Sequence, residues 1–291
     1  MNFTQTIFYP ISAVYSSIIR VRNLLFNKGI LKSEKVSAKV ISIGNLTVGG
    51  SGKTPTVIYV LELLKKNGYK PAVLSRGYRR KSKGYLFVSD GDNIFTNVDK
   101  SGDEIYLVTN ECKVPAAVCE KRVEGAKNLL KDSNCDSIVL DDAFQHRWIK
   151  RDLDIIVFDQ RFLTAQKRYQ QRLLPIGLLR EPMKSCSRAD IIIINKKFSE
   201  HKDFGNEIYK FFFGKPVFYV GYKANAFVDV KKHTSYKTEE FIGQKSLVIC
   251  GIARPHSFLS VLENNKIDIS NKLLFTDHKE YSLKEINLIR K

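Results

Sequence analysis

Continuous apolar, β-branched runs alternating with helical stretches predict a doubly wound α/β fold for this 291-residue chain, built on a largely parallel sheet. Val40–Ile43, Ala72–Leu74, Val114–Val118, Ile138–Leu140, Ile155–Phe158 and Ile191–Ile194 carry the prediction, since strands covered on both faces read as near-continuous hydrophobic runs. Two further features lie where such a sheet binds ligands, at the carboxyl ends of strands. A glycine-rich turn follows the first run, and an aspartate pair closes the fourth.

Before the first strand, Phe3 to Ile19 carries no charge, and Arg20, Arg22 and Lys28 follow. A signal peptide has the opposite order, and a spanning helix needs about 20 predominantly apolar residues, whereas Thr4, Gln5, Thr6, Ser12, Ser16 and Ser17 interrupt this one. Ile11, Val14, Ile18, Val21 and Leu25 recur at spacings of three and four, which predicts an amphipathic helix, and Pro10 suits its first turn. Such a helix either lies on an anionic bilayer or packs on the protein's own core.

Val40–Ile43 leads into Gly44-Asn-Leu-Thr-Val-Gly-Gly-Ser-Gly-Lys-Thr54, and Thr56–Leu64 reads as the helix that follows. Strand, glycine-rich loop and helix N-terminus together suit a nucleotide phosphate, because small residues let backbone N–H groups wrap an anion at the positive end of the helix. The loop residues Thr47, Val48, Gly49, Gly50, Ser51 and Gly52 would line the phosphates; Lys53 would reach the β- and γ-phosphates, and the Thr54 hydroxyl would hold Mg²⁺. One position departs from the P-loop pattern: Thr47 stands where the first glycine is expected.

Ala72–Leu74 ends in Ser75-Arg-Gly-Tyr-Arg79, which places Arg76 near a strand end. Gly102-Asp-Glu104 reads as a loop, in which Asp103 or Glu104 could serve as base for an acceptor hydroxyl. Ile138–Leu140 runs into Asp141-Asp142, hard oxygen ligands where Mg²⁺ lies beside a P-loop, either directly or through water. Gln145 and His146 follow at once and could orient a nucleophile or contact a sugar hydroxyl. Arg180-Glu181 follows Leu173-Leu-Pro-Ile-Gly-Leu-Leu179, and arginine suits bidentate recognition of phosphate.

Near Gly214 the texture changes. Lys215–Val230 reads as a two-stranded linker, and beyond it come Ser246–Cys250, Leu273–Phe275 and one incipient helix. Four regions follow: a helix over 1–30, a P-loop domain over 31–214, a linker over 215–230 and a small α/β domain over 231–291. Five widely spaced cysteines without a C-x-x-C pair fit reduced thiols and exclude a disulfide framework. The net charge of +18 favours polyanionic partners: nucleic acid, an anionic membrane or a phosphorylated substrate.

Taken in order, several stretches resemble the tetraacyldisaccharide 4′-kinases of lipid A biosynthesis. They are Gly44–Pro55, Leu74-Ser-Arg-Gly-Tyr78, Gly102-Asp-Glu104, Leu140-Asp-Asp-Ala-Phe-Gln-His146, Leu174–Pro182, Cys250-Gly-Ile-Ala-Arg-Pro255 and Phe275-Thr-Asp-His278. The resemblance implies a P-loop domain and a smaller C-terminal α/β domain joined by a two-stranded linker. It also implies ATP and Mg²⁺ as cofactors and a lipid A disaccharide 1-phosphate precursor as substrate. The site would be peripheral, at the cytoplasmic face of the bacterial inner membrane, with an anionic surface as partner and no nucleic acid. By the family's motifs, Lys53 and Thr54 bind triphosphate and Mg²⁺, and Asp141 and Asp142 form the metal-binding pair. Asp103 is the catalytic base oriented by His278, while Arg76, Gln145, His146, Arg180 and Glu181 lie near the substrate. Lys279 stands where a second histidine is usual, and family members continue through a further strand, so the resemblance implies a shortened C-terminal domain. A nucleotide-switch protein that binds nucleic acid shares the P-loop, the acidic pair and the charge, but it leaves the N-terminal amphipathic helix unexplained and no nucleic-acid module is recognisable.

Overall fold

The computed structural model describes residues 3–165, 168–232, 234–252, 255–276 and 279–290, and falls into two compact units. The larger comprises residues 1–197 and 201–220; the smaller comprises 198–200 and 221–291.

In the larger unit the strands are β1 (Lys39–Gly44), β2 (Pro71–Ser75), β3 (Leu86–Asp90), β4 (Pro115–Val118), β5 (Ser137–Asp141), β6 (Leu153–Asp159), β7 (Ile191–Lys197) and β8 (Val217–Gly221). They form one sheet in the order β3-β4-β2-β5-β1-β6-β7-β8. From β4 to β7 the pairings are parallel, and β3 closes one edge antiparallel to β4. The helices are α1 (Phe3–Asn27), α2 (Lys53–Lys66), α3 (Val98–Ser101), α4 (Asp103–Cys112), α5 (Arg122–Asp132), α6 (Gln160–Leu163) and α7 (Asn206–Tyr209).

Period-two alternation within each apolar run explains the layers. Val73, Val139, Ile155 and Val157 face a core completed by Val57 and Leu61 of α2 and Ile105 and Val108 of α4. Their neighbours Ala72, Leu74, Ile138 and Leu140 face the other side, against Ala126 and Leu129 of α5. Ile156, Phe158, Ile192 and Ile194 build a third cluster with Phe144, Met183 and Phe212. Every run predicted as a doubly covered strand is one.

The chain leaves β1 toward β2 on one side and reaches β6 on the other, so the sheet reverses its order of growth around β1. Ligands bind at such a switch point. Register places Ile43 of β1 opposite Asp141 of β5, which puts the start of the glycine-rich loop beside the acidic pair.

The smaller unit contains an antiparallel ribbon of β9 (Phe227–Val228) and β10 (Ser235–Tyr236). A parallel pair follows, β11 (Leu247–Cys250) and β12 (Asn271–Leu274), with α8 (Pro255–Asn264) between them and α9 (Leu283–Arg290) after them. Val248, Leu259, Leu262 and Ile267 form its core with Phe227 and Phe241, whose rings lie 4.8 Å apart.

Three expectations change. The hairpin read over 215–230 does not form: Val217–Gly221 joins the edge of the large sheet, and Phe227–Val228 pairs with Ser235–Tyr236. An extended run next to an open sheet edge gains ladder hydrogen bonds there that a local turn would have to match. Gly102-Asp-Glu104 is not a loop; Asp103 opens α4. Pro10 lies inside α1, which begins at Phe3.

Candidate active site

At Gly44 a Cβ would lie 2.6 Å from the Phe144 Cβ, so only glycine lets β1 pass the turn that follows β5. Beyond it, Gly49 and Gly52 both adopt φ +95°, a left-handed backbone that favours glycine. Thr47 has no such demand. It forms an isolated antiparallel bridge with Leu179, an extended conformation open to any residue, which explains how threonine replaces the first glycine.

The loop is held on both flanks. Val48 N–H donates to Leu178 O at 2.8 Å, and Arg180 N–H donates to Leu46 O at 2.7 Å. Opposite, Asn195 at the end of β7 donates from Nδ2 to Ser51 O at 3.1 Å, and Lys197 Nζ donates to Gly50 O at 2.8 Å. Within the loop, buried Asn45 donates to Ser51 Oγ at 3.1 Å. Gly52 begins α2 without a side-chain cap, and no acidic residue occupies the first turn. The helix therefore presents uncompensated N–H donors and its positive end to the space beside Lys53 and Thr54.

Asp141 and Asp142 stand at the end of β5 in opposite electrostatic states. Asp141 is fully buried, and its Oδ1 has no hydrogen-bond partner among the described residues. Burial pushes its pKa up to about 7, with Glu104 and Asp142 adding to the rise and Lys53 and Arg122 opposing it. Asp142, at φ +47°, accepts from Arg180 Nη1 at 3.0 Å and lies 3.5 Å from Lys53 Nζ. Burial alone would raise its pKa, but Lys53 and Arg180 outweigh that and hold it below the usual carboxylate range. A desolvated carboxylate oxygen that lacks a donor is one that a divalent cation satisfies, so this donor set fits Mg²⁺.

Gln145 Nε2 donates to Asn45 O at 2.8 Å and clamps the segment after β5 onto the loop. His146 accepts the Arg122 backbone N–H on Nε2 at 3.4 Å. Burial first, then Arg122, Arg151, Arg76 and Arg22, lower its pKa to about 4, so the ring is neutral at physiological pH. Arg122 escaped the sequence reading. It is 2 % exposed and donates to Cys119 O at 2.6 Å and to Asp141 O at 3.2 Å, a buried cation directly behind the acidic pair. A signal existed: Lys121 and Arg122 open α5, where the helix dipole disfavours positive charge.

Arg76 is exposed, and its loop packs on the start of α4. A Cβ on Gly77 would lie 2.8 Å from Ser101 O, and one on Gly102 would lie 3.0 Å from Tyr78 O. Asp103 is exposed at the start of α4, and its Oδ1 accepts the Glu104 N–H at 3.0 Å. Glu104 is half-buried and is the carboxylate whose charge acts most on Asp141. His278 lies outside the described residues.

Glu181 is completely buried. Its oxygens accept from Arg22 at 3.0 Å, Asn23 at 2.9 Å, Ser185 at 2.9 Å and Arg188 at 3.0 Å. It anchors α1 to the P-loop unit. Tyr15 and Ser12 add bonds to Arg180 O at 2.8 Å and Leu173 O at 3.2 Å, and Phe26 packs edge-on to Trp148. The inner face of α1 is thus rich in polar bonds, whereas Ile11, Val14, Ile18 and Val21 point outward, each more than half exposed. Among the described residues no helix is long and apolar enough to cross a membrane.

A flanked phosphate loop, a lysine on its helix and a carboxylate pair at the neighbouring strand end define a P-loop kinase. The family model described as LpxK, tetraacyldisaccharide-1-P 4′-kinase, matches residues 4–291. A tetraacyldisaccharide 4′-kinase of Chlorobium luteolum is 38 % identical over 286 residues, covering 94 % of this chain and 78 % of that protein. One from Aquifex aeolicus is 37 % identical over 278 residues, covering 94 % and 82 %. The crystal structure of LpxK from Aquifex aeolicus in complex with ATP superimposes with a TM-score of 0.79 at 34 % identity, covering 97 % of this chain and 84 % of that one. The chain belongs to the tetraacyldisaccharide 4′-kinase family.

Proposed function

We propose that this chain transfers the γ-phosphoryl group of ATP to the 4′-hydroxyl of tetraacyldisaccharide 1-phosphate, with Mg²⁺ as cofactor. The observation that carries the reading is the unpartnered, desolvated Asp141 oxygen, next in sequence to the Asp142–Lys53 pair, together with the uncapped start of α2. Thr54 and the acidic pair would hold the cation. Among the described residues no cluster of three His, Cys, Asp or Glu side chains could hold a metal ion. Mg²⁺ commonly keeps waters and binds through one or two carboxylates plus substrate phosphates, which would suit this acidic pair. The ion supplies neutralisation of charge on the β- and γ-phosphates.

The chain's own residues do the rest. Backbone N–H groups of residues 49–54 cradle the phosphates, and Lys53 follows the charge onto the leaving oxygen. Asp103, exposed at the N-terminus of α4, accepts the proton of the acceptor hydroxyl. Arg76, whose loop packs on the start of α4, meets anionic groups of the substrate.

The acceptor carries four acyl chains and resides in a bilayer, so the enzyme works at a membrane surface. Support comes from the exposed apolar stripe of α1, formed by Ile11, Val14, Ile18 and Val21, and from the +18 charge, which suits the anionic cytoplasmic leaflet of the inner membrane. The test is transfer of labelled γ-phosphate to tetraacyldisaccharide 1-phosphate in mixed micelles. Phosphorylated lipid should form with wild-type protein and disappear with Lys53→Ala. Asp103→Ala should slow transfer by about a hundredfold or more while still binding ATP. An Asp103→Ala enzyme of normal rate would remove that residue from the chemistry.

A further inference from the structure

Three other parts of the chain meet at Arg180. Its N–H donates to Leu46 O at the base of the phosphate loop, and its carbonyl accepts the Tyr15 hydroxyl of α1 at 2.8 Å. The peptide on either side of its Cα is therefore pinned, from the loop on one flank and from α1 on the other. From that fixed base the guanidinium reaches Asp142, with Nη1 3.2 Å from Oδ1 and 3.0 Å from Oδ2. Asp142 Oδ1 is in turn 3.5 Å from Lys53 Nζ.

Lys53 and Arg180 thus compete for one carboxylate. The tighter Arg180 holds Asp142, the less of that negative charge Lys53 must balance, and the more of its own charge is left for phosphate. We propose that Tyr15 is a positioning residue for the nucleotide site, acting from α1 through Arg180 on the Asp142–Lys53 pair. The proposal rests on the reading of residues 47–54 as the ATP phosphate site. Burial raises the Tyr15 pKa above its ordinary value, so the phenol keeps its proton and remains a donor. No other contact between α1 and the 172–181 segment touches the Arg180 peptide among the bonds described. Ser12 reaches Leu173 O, and Arg22 and Asn23 reach the Glu181 carboxylate.

That separation makes the idea testable with the intact chain. Binding of a fluorescent, non-hydrolysable ATP analogue is titrated in the presence of Mg²⁺ for wild type, Lys53→Ala, Tyr15→Phe, Ser12→Ala, Arg180→Ala and the Tyr15→Phe/Arg180→Ala double variant. Thermal unfolding of each checks that it is folded. Loss of one part-buried hydrogen bond predicts affinity weakened about threefold to tenfold in Tyr15→Phe. Ser12→Ala, which loosens α1 without touching Arg180, should stay within about twofold of wild type. In the Arg180→Ala background, Tyr15→Phe should cost nothing further, because the side chain it positions is gone.

Three results overturn the proposal: Tyr15→Phe binding like wild type, Ser12→Ala weakening binding as much as Tyr15→Phe, or losses that multiply in the double variant. The last two mean that Tyr15 only stiffens α1. If wild type and Lys53→Ala bind the analogue equally, the phosphate-site reading itself has failed, and the Tyr15 comparison falls with it.

Discussion

Asp141 and Asp142 are adjacent in sequence and chemically alike, yet their surroundings separate them. Asp142 is ionised by two cations, whereas Asp141, with its pKa near 7, is about half protonated at neutral pH. A carboxylate with a folded pKa above its unfolded value binds its proton more tightly when folded. Its contribution to stability is therefore present at low pH and is lost as pH rises from about 4 through 7. In divalent-free buffer the melting temperature should fall across that window, and Asp141→Asn should flatten the fall. Added Mg²⁺ should stabilise the wild type increasingly above pH 7, as the cation replaces the proton, and should leave Asp141→Asn unmoved. Calorimetry at several pH values decides it, and equal Mg²⁺ stabilisation in both proteins would exclude Asp141 as a ligand. The acidic pair was legible in the sequence because a strand ending in two carboxylates is a local pattern. Arg122 was not: the basic start of α5 is a local hint, but that Arg122 turns inward behind β5 while Lys121 stays exposed is decided by packing.

The phosphate loop and α2 follow from local rules, since Gly49 and Gly52 must be left-handed and the helix begins uncapped. Thr47 is the informative exception. Its bridge to Leu179 is extended, so Thr47→Gly should leave nucleotide affinity within a few-fold and cost roughly 0.5–1 kcal/mol of stability from added chain entropy. Gly52→Ala, forced into φ +95°, should cost more stability and most of the ATP binding; denaturant melts and analogue titration report both. Two elements resisted local reading. Asp103–Cys112 became a helix because Ile105, Val108, Thr109 and Cys112 share one buried face against the sheet, a 3.6-residue period hidden in a stretch that also reads as strand. Val217–Gly221 joined the large sheet because an open edge was available beside β7.

Within the larger unit the two faces of α1 differ. Its inner face is held by Tyr15, Arg22 and Asn23, and its outer apolar stripe is left without a protein partner among the described residues. A Val14→Asp/Ile18→Asp variant should lose co-sedimentation with anionic phospholipid vesicles while keeping its affinity for ATP. Raised salt should weaken the wild-type association, since part of it comes from basic residues. A variant that still pellets fully would assign vesicle binding to another surface. The chain spans 78–84 % of the relatives' lengths quoted above, and the smaller unit carries its own parallel βαβ core.

Periodicity, glycine placement and residue order are properties of short windows, so the amino-acid sequence alone defined the parallel α/β sheet, the phosphate loop, the acidic pair and the family resemblance. Burial and charge partners arise from segments far apart in the chain. Only packing could reveal that Asp141 is desolvated while Asp142 is paired, that Arg122 backs them both, and that Glu181 anchors a helix some 160 positions away. The polarity of α1 shows the same division. Its apolar stripe is written in the spacing of Ile11, Val14, Ile18 and Val21, but which face turns to solvent was settled by the buried Glu181 carboxylate, which needed Arg22 and Asn23 as its partners.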